Sequence, residues 1–174
     1  MGQYFRHLRT IPWFPTFEWV NSIDEVADRI NLPHEDYPSR VQSTVDKITS
    51  FHQDIFSINP NCFDVTTKNL LEIHNSLFAD TDHAGKFRTV NVRVGLHVAP
   101  DWKWVPTMVT ELHHLHSRWR KDMEIPTDDI LLDWYSDFEN IHPFQDGNGR
   151  VGGVVVAVYS NLWSPEGRYL APCQ

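Results

Sequence analysis

Residues 142–150 read His142-Pro143-Phe144-Gln145-Asp146-Gly147-Asn148-Gly149-Arg150. This short stretch combines a titratable imidazole, a carboxylate, a glycine-flanked backbone segment and a permanent cation. It separates two segments with helical periodicity, so we expect a tight turn between two helices. A phosphate-rich ligand suits such a turn, and a base beside a positive cradle favours chemistry on a nucleotide.

The second helix is expected to begin at Asn148 or Gly149, after the first ends at Ile141. The N–H groups of Gly147, Asn148 and Gly149 then lie at a helix N-terminus, which is a ready anion site. The two glycines lack the Cβ atoms that would block a diphosphate. The side-chain amide of Asn148 and the guanidinium of Arg150 are further donors for phosphate oxygens.

Two other side chains of the stretch are candidates for chemistry. Asp146 offers hard oxygen ligands that suit Mg²⁺ shared with phosphates. His142 precedes the cradle, and its ordinary pKa near neutrality suits a general base for an attacking hydroxyl. Phe144 is expected to turn inward and hold the loop.

Length and composition indicate one folded domain without general affinity for nucleic acid. The chain has 174 residues, 41% of them hydrophobic, which is enough to bury a good core. Its net charge of −8 argues against non-specific nucleic-acid binding. No segment resembles a signal peptide or reaches membrane-spanning length. Cys62 and Cys173 fit free thiols in a reducing compartment, so we expect a cytoplasmic protein with no membrane partner, although delivery into another cell would leave no mark in the sequence.

Capping signals and apolar spacing predict a mostly α-helical fold. Ser22 and Glu25 form a capping box for a short helix that ends near Ile30. The other predicted helices begin at Ser39, cover about residues 66–79 and 105–121, and run from a Thr127 cap to Ile141. We expect residues 1–38 to form an N-terminal arm and short helix packed on the core, and residues 39–174 to form the main domain.

The segment from Val151 to Val158 presents a conflict between propensity and spacing. Its valines favour a strand by propensity. However, Val151, Val155, Val158 and Leu162 recur at helical intervals. We follow the spacing and predict a helix.

Residues 87–98 predict a β-hairpin in this otherwise helical chain. Residues 87–94 alternate with the period of a strand, Gly95 can turn the chain, and residues 96–98 can return. Lys86, Arg88 and Arg93 are interpreted as charges on the wet face of an edge hairpin.

The stretch from His142 to Arg150 resembles the signature of the Fic (Fido) domain family, HxFx(D/E)GNGRxxR. The similarity extends to residues 85–100, which resemble the family's flap hairpin, and to the helix after it, and it spans roughly residues 40–163. The resemblance implies a mostly α, Fic-type helical bundle with a short β-hairpin flap. It also implies transfer of AMP from ATP to a Ser, Thr or Tyr hydroxyl of a target protein.

The resemblance also implies a role for each residue of the signature. His142 would be the general base and Asp146 the Mg²⁺ ligand. The anion hole at the α-phosphate of the co-substrate ATP would comprise Gly147, Asn148 and Gly149, and Arg150 would hold the β-phosphate. The flap, at about residues 90–98, would clamp the target segment so that its hydroxyl lies in line for attack.

The chain departs from the family pattern at one position. The second arginine of the signature falls on Gly153, which predicts poor orientation of the ATP γ-phosphate. The loss of one charge-assisted contact costs about 2 kcal/mol, so weak transfer, another donor, or binding without turnover would follow. The inhibitory-helix pattern (S/T)xxxE(G/N), whose glutamate faces that arginine, has no convincing copy in this chain.

Two alternatives stay open at this level. One is a non-catalytic Fic-like module that binds nucleotide or protein. The other is a di-iron carboxylate oxidoreductase, since Glu111-x-x-His114 and Glu139-x-x-His142 both read as Glu-x-x-His. That reading requires two further inward glutamates and leaves residues 146–150 unexplained. His113, His114 and His116 are interpreted as partly exposed or core-edge histidines, since His113 and His114 face different directions on a helix and no HExxH motif is present.

Overall fold

The computed structural model describes residues 16–30, 65–116 and 128–173. The helix expected after Ser39, most of the N-terminal arm, the predicted Thr127 cap and Cys62 lie outside these ranges. In the described ranges the protein is mostly α-helical, as predicted. The helices are α1 (Ile23–Arg29), α2 (Thr67–Leu77), α3 (Val105–His116), α4 (Asp128–Ile141) and α5 (Asn148–Trp163). The strands are β1 (Phe17–Val20), β2 (Arg93–Val94), β3 (His97–Val98) and β4 (Tyr169–Pro172).

Side-chain caps fix the first residues of α1 and α2, and the sequence predicted the first of these caps, Ser22. Ser22 caps α1, and its Oγ accepts a hydrogen bond from the Glu25 N–H at 3.2 Å. Thr66 caps α2 in the same way, accepting from the Asn69 N–H at 3.1 Å. Each cap satisfies one of the donors that a helix N-terminus leaves unpaired, which fixes the starting residue.

Helix α5 lies at the centre of the fold. Every residue from Val151 to Ser160 is buried, because α2, α4 and β4 all pack against this helix. A helix that is covered on all sides is apolar all round, which explains the run of valines. The prediction of a helix from their spacing is confirmed. None of the helices in the described ranges is both long and apolar enough to cross a bilayer.

A two-stranded antiparallel sheet joins β1 to β4. Phe17 is paired with Pro172 and Val20 with Tyr169, and the Cys173 N–H extends the pairing by donating to the Thr16 carbonyl at 2.8 Å. The pairing places α1, which follows β1 directly, against β4 as well. The sequence did not predict β4.

The hairpin is present but shorter than predicted. Arg93 pairs with Val98 and Val94 with His97, and Gly95 occupies the turn with φ +59°. A two-residue turn with glycine first at positive φ matches the type II′ hairpin. The prediction of a strand from residue 87 was wrong. The Arg88 N–H donates to the Pro143 carbonyl of the α4–α5 loop at 3.0 Å, and pairing across the hairpin begins only at Val92, whose carbonyl accepts from the Ala99 N–H at 3.2 Å.

Two consecutive glycines in α5 allow close helix packing. A Cβ atom at Gly152 would lie 2.9 Å from the Tyr135 ring of α4. A Cβ atom at Gly153 would lie 2.6 Å from Cγ2 of Ile30, the residue that ends α1. A glycine inside a helix costs about 1 kcal/mol relative to alanine, and here the gain is direct contact of α5 with both neighbours.

We predict that Gly153→Ala destabilises the protein by about 1–3 kcal/mol, because the new methyl group overlaps the stiff β-branched side chain of Ile30. Urea denaturation measures the free energy of unfolding. Gly149→Ala is the matched control, since a Cβ atom there would lie 4.0 Å from its nearest neighbour, the Tyr135 hydroxyl. In a double-mutant cycle, Ile30→Ala is expected to cost less in the Gly153→Ala background than alone. Strict additivity of the two changes would contradict the contact.

Candidate active site

The loop between α4 and α5 turns sharply through two backbone positions in the left-handed region. His142 has φ 51° and Gly147 has φ 84°. Glycine adopts this conformation freely, whereas histidine does so at a cost of order 1–3 kcal/mol. Gly147 is further restricted by Phe78, because a Cβ atom would lie 2.2 Å from that ring. The surrounding structure must therefore hold His142 in place.

A buried arginine stabilises the backbone at His142. Arg88 is 2% exposed, and its Nε donates to the His142 carbonyl at 2.7 Å. Its Nη2 donates to the carbonyls of Ile141 at 3.3 Å and Pro100 at 2.5 Å, and its Nη1 to Val90 at 2.9 Å. The interpretation of Arg88 as a solvated hairpin charge was wrong, whereas Lys86 and Arg93 are exposed as expected.

Asn148 closes the loop with its side chain. Its Oδ1 accepts from the Phe144 N–H at 2.9 Å, and its Nδ2 donates to the Phe144 carbonyl at 2.8 Å. Both residues are buried, with Phe144 fully so, as expected. The expectation that the Asn148 side-chain amide faces phosphate was wrong, because this amide binds the loop. The backbone N–H of Asn148 remains the part of the residue suited to an anion.

His74 of α2 supports the same loop from the other side. Its Nε2–H donates to the Asp146 carbonyl at 3.0 Å, and its Nδ1 accepts from the Gly85 N–H at 3.0 Å. Its ring stacks on Phe144 at 4.0 Å. Burial lowers the pKa of His74, so the ring is neutral with its proton on Nε2. The sequence held one hint of this role, a histidine on the buried stripe that contains Leu70 and Leu77.

The first turn of helix α5 lies at the cleft and has backbone N–H groups without intrahelical acceptors. The first intrahelical bond is donated by the Val151 N–H to the Gly147 carbonyl at 2.9 Å. Helix geometry leaves the N–H groups of Asn148, Gly149 and Arg150 without an intrahelical acceptor. The Gly147 N–H differs from the prediction, since it donates to Oδ1 of Asp146 at 2.8 Å. An anion at this helix end would meet the helix dipole and the donors that follow Gly147.

Arg150 and Asp146 form an ion pair at the mouth of the loop. The Arg150 Nη2 lies 3.2 Å from the Asp146 Oδ1, and the two side chains are 27% and 63% exposed. The guanidinium also lies 4.6 Å from the centre of the Phe78 ring, in a cation–π arrangement. The loop thus places a cation and an accessible carboxylate beside the N-terminus of α5.

His142 contributes a neutral imidazole to the site. Burial, and next the charge of Arg88, lower its pKa to about 4. Its Nδ1 is buried and makes no hydrogen bond of good geometry with the described residues, although the Glu139 carbonyl near the ring raises the pKa. His142 lines the cleft, and because its Nδ1 is buried, Nε2 is the nitrogen available to accept a proton there.

Glu139 is a buried acid one turn before His142. It is 2% exposed, and burial raises its pKa to about 8. The carboxyl group is therefore protonated at neutral pH and adds no negative charge beside His142. Burial also raises the pKa of Tyr135, whose hydroxyl consequently stays neutral.

A cleft of about 590 Å³ lies between the α4–α5 loop and the end of α1. All six predicted site residues line it: His142, Asp146, Gly147, Asn148, Gly149 and Arg150. Its other described walls are Gln145 of the loop, Tyr135 of α4, Pro172 of β4, and Arg29 and Ile30 at the end of α1. The volume and the mixed polar lining suit a nucleotide-sized ligand.

Asp146 fits the role of a magnesium ligand shared with a substrate. Mg²⁺ is commonly held by one or two carboxylates together with phosphate oxygens and water, and the Asp146 carboxylate is exposed at the cleft. In the described ranges no three His, Cys, Asp or Glu side chains are grouped to hold a metal ion. A di-iron centre built on Glu111 and Glu139 therefore has no further ligands there.

Comparison with known proteins identifies the family. The model of the Fic/DOC family matches residues 64–160, which is more than half of the chain. The chain belongs to the Fic/DOC family, as the resemblance of residues 142–150 predicted.

The matches to curated relatives cover only part of each relative's length. The protein adenylyltransferase Fic of Drosophila grimshawi is 30% identical over 95 residues, covering 53% of this chain and 20% of that protein. The protein of the same name from Aedes aegypti is 31% identical over 105 residues, covering 57% and 20%. The chain therefore spans about one fifth of the length of these curated relatives.

A solved structure supports the fold. A Fic family protein from Desulfovibrio desulfuricans G20 superposes with a TM-score of 0.53 at 22% sequence identity, covering 84% of this chain and 44% of that one. This likeness confirms the predicted mostly α, Fic-type fold.

The departure from the family signature now has a structural setting. Gly153, where the signature has a second arginine, packs against Ile30. An arginine at position 153 would have to displace Ile30. The present packing of Ile30 against α5 therefore requires a residue without a side chain at position 153.

We predict that the His142 ring titrates near pH 4 in the folded protein instead of near 6.5. Because the folded pKa lies below the unfolded value, the unfolded chain takes up the proton first. His142 therefore lowers the free energy of unfolding as the pH falls from 6.5 towards 4, and has no such effect above that window. NMR titration of the imidazole, assigned with His142→Asn, measures the pKa. A midpoint at or above 6.5 would contradict the buried setting.

Proposed function

We propose that the protein is an adenylyltransferase that moves AMP from Mg-ATP to a Ser, Thr or Tyr hydroxyl of a target protein. One observation carries the proposal: a neutral imidazole and the free N-terminus of a helix face the same cleft. The imidazole of His142 can accept a proton, and the first turn of α5 can hold a phosphate. Membership of the Fic/DOC family and the adenylyltransferase names of the curated relatives support the same reaction class.

The proposed step forms one bond at the α-phosphorus and breaks one. The target hydroxyl oxygen attacks the α-phosphorus, and the bond from that phosphorus to the oxygen bridging to the β-phosphate breaks. Pyrophosphate leaves, and Nε2 of His142 takes the hydroxyl proton. The N–H groups of Asn148 and Gly149 neutralise charge on the α-phosphate, and the guanidinium of Arg150 holds the β-phosphate. Positioning and charge neutralisation supply most of the rate enhancement in such transfers.

Asp146 would hold Mg²⁺, which when bound supplies positive charge to the phosphates. Its carboxylate now pairs with Arg150 and the Gly147 N–H. A metal ion would therefore share Asp146 with its present partners, and Arg150 would be freer to contact phosphate. This exchange of partners is expected to make nucleotide binding dependent on Mg²⁺.

A second candidate function is binding without turnover. The packing of Ile30 against Gly153 favours it, because α5 carries no cation one turn beyond Arg150. In that case the cleft would hold a nucleotide, or the flap a protein, and no modified product would form.

Labelling with nucleotide tests the choice between these functions. We predict that the protein, incubated with Mg²⁺ and ATP labelled on the α-phosphate, transfers the label to itself or to lysate proteins. His142→Ala is expected to lower transfer at least about 100-fold, the lower range for loss of a general base, while nucleotide binding persists. Gel autoradiography and mass spectrometry of the modified residue measure the product, with CTP, GTP and UTP run in parallel.

His114→Ala is the matched control, because His114 is an exposed histidine on α3 that does not line the cleft. Its transfer should equal that of the unchanged protein. Binding of ATP without any labelled product, in both the unchanged protein and His142→Ala, would select the binding function.

The flap offers an apolar surface for the target segment. Leu96 is 86% exposed, Val98 63% and Val90 47%. Among the described residues neither β2 nor β3 pairs with a further strand, so an extended peptide can add to an edge of this sheet. His97 docks this hairpin on α4, since its Nε2–H donates to the Asn140 carbonyl at 3.0 Å, two residues before His142. A peptide on the flap would thus be held close to the catalytic imidazole.

We predict that Leu96→Ser combined with Val98→Ser reduces labelling of lysate proteins several-fold, because the target segment loses its apolar contact. Nucleotide affinity should stay unchanged, since neither residue lines the cleft. Leu162→Ser, at a side chain 40% exposed on α5, controls for the loss of surface apolarity. Equal loss of labelling in the control would argue against the flap as the docking surface.

A further inference from the structure

A second arginine lines the cleft from outside the residues assigned to chemistry. Arg29 belongs to the last turn of α1, and it lines the same cleft as His142 and Arg150. It is one of two cationic side chains among the described lining residues, the other being Arg150. Its side chain is 22% exposed, so the guanidinium is partly sheltered but open to the cleft.

The guanidinium of Arg29 is fixed by strands at both ends of the described chain. Its Nη1 pairs with the Glu18 carboxylate of β1 and also donates to the Pro172 carbonyl of β4 at 3.4 Å. Both contacts use the same nitrogen, so Nη1 alone orients the guanidinium. A guanidinium has five donors, and the others can serve a bidentate phosphate contact.

The packing of the residue after Arg29 shows which part of α5 this end of α1 approaches. Ile30, the next residue, touches α5 at Gly153. Gly153 lies three residues after Arg150, on the same face of α5 and about 5 Å along its axis. Ile30 therefore contacts α5 about one helical turn beyond Arg150, and its neighbour Arg29 lines the same cleft.

We propose that Arg29 is a binding residue for the phosphates beyond the α-phosphate of the nucleotide donor. This inference rests on the proposed function, which places the α-phosphate at the N-terminus of α5. A diphosphate or triphosphate extending from that point along α5 reaches the region of Arg29, whereas a monophosphate does not. Arg29 would then give the cleft its preference for nucleotides with more than one phosphate.

Glu18 sets the strength of this contact. Its carboxylate is 47% exposed and neutralises Arg29 while the cleft is empty. The negative phosphates compete with that carboxylate for the same guanidinium. Removal of the Glu18 charge is therefore expected to strengthen diphosphate binding, opposite to the effect of removing Arg29.

Calorimetric titration with AMP and with ADP, each in MgCl₂, tests the proposal. Arg29→Gln is expected to weaken ADP binding about 10-fold or more, the range for loss of a charged hydrogen bond, and to leave AMP binding unchanged. Glu18→Gln should tighten ADP binding and leave AMP binding unchanged. Arg29→Lys, which keeps the charge but loses the fork, should fall between Arg29→Gln and the unchanged protein.

Arg168→Gln is the control for an arginine near the same strands. Arg168 donates to the Trp19 carbonyl at 3.2 Å and does not line the cleft. Its ratio of ADP to AMP affinity should match that of the unchanged protein.

The outcomes separate this inference from the proposed function. An unaltered ratio of ADP to AMP affinity in Arg29→Gln and Arg29→Lys would overturn the inference alone. If the unchanged protein bound neither nucleotide, the proposed function would fail and the inference with it. AMP binding also reports folding. If Arg29→Gln lost affinity for both nucleotides, the ratio of ADP to AMP affinity in the milder variant Arg29→Lys would decide.

Discussion

The site depends on the burial of one positive charge. The guanidinium of Arg88 binds carbonyls on both sides of the hairpin, Val90 and Pro100, and carbonyls at the end of α4, Ile141 and His142. A buried cation is costly unless its donors are satisfied, and carbonyls at a helix C-terminus favour positive charge. One side chain thereby closes the flap, fixes it to α4 and holds His142 in its unusual backbone conformation.

The side chains that shape the loop are different from those that face the cleft. His74 and Asn148 hold the loop backbone at Asp146 and Phe144. The cleft receives the first N–H groups of α5, the His142 ring and the Asp146–Arg150 pair. Donors fixed in this way require little reorganisation when charge develops on a ligand, which is the physical basis of electrostatic preorganisation.

The sequence predicted local features well because local interactions determine them. The cap at Ser22, the helical spacing of α5 and the turn at Gly95 each depend on residues a few positions apart. The role of His74 depends on Asp146, 72 positions away, and no periodic pattern records such a contact. The same limit explains why Arg88 was taken for a surface charge, and why the partner of Gly153 could not be named before α1 was placed against α5.

Strand β1 is among the earliest of the described segments to be synthesised, and its partner β4 is the latest. Arg29 of α1 contacts both strands of this pair, through Glu18 and the Pro172 carbonyl, and with Pro172 it forms part of the cleft wall. A chain emerging from the ribosome can therefore fold α4, α5 and the loop between them before that wall of the cleft exists. This wall of the cleft is therefore completed only after residues 169–172 have been synthesised.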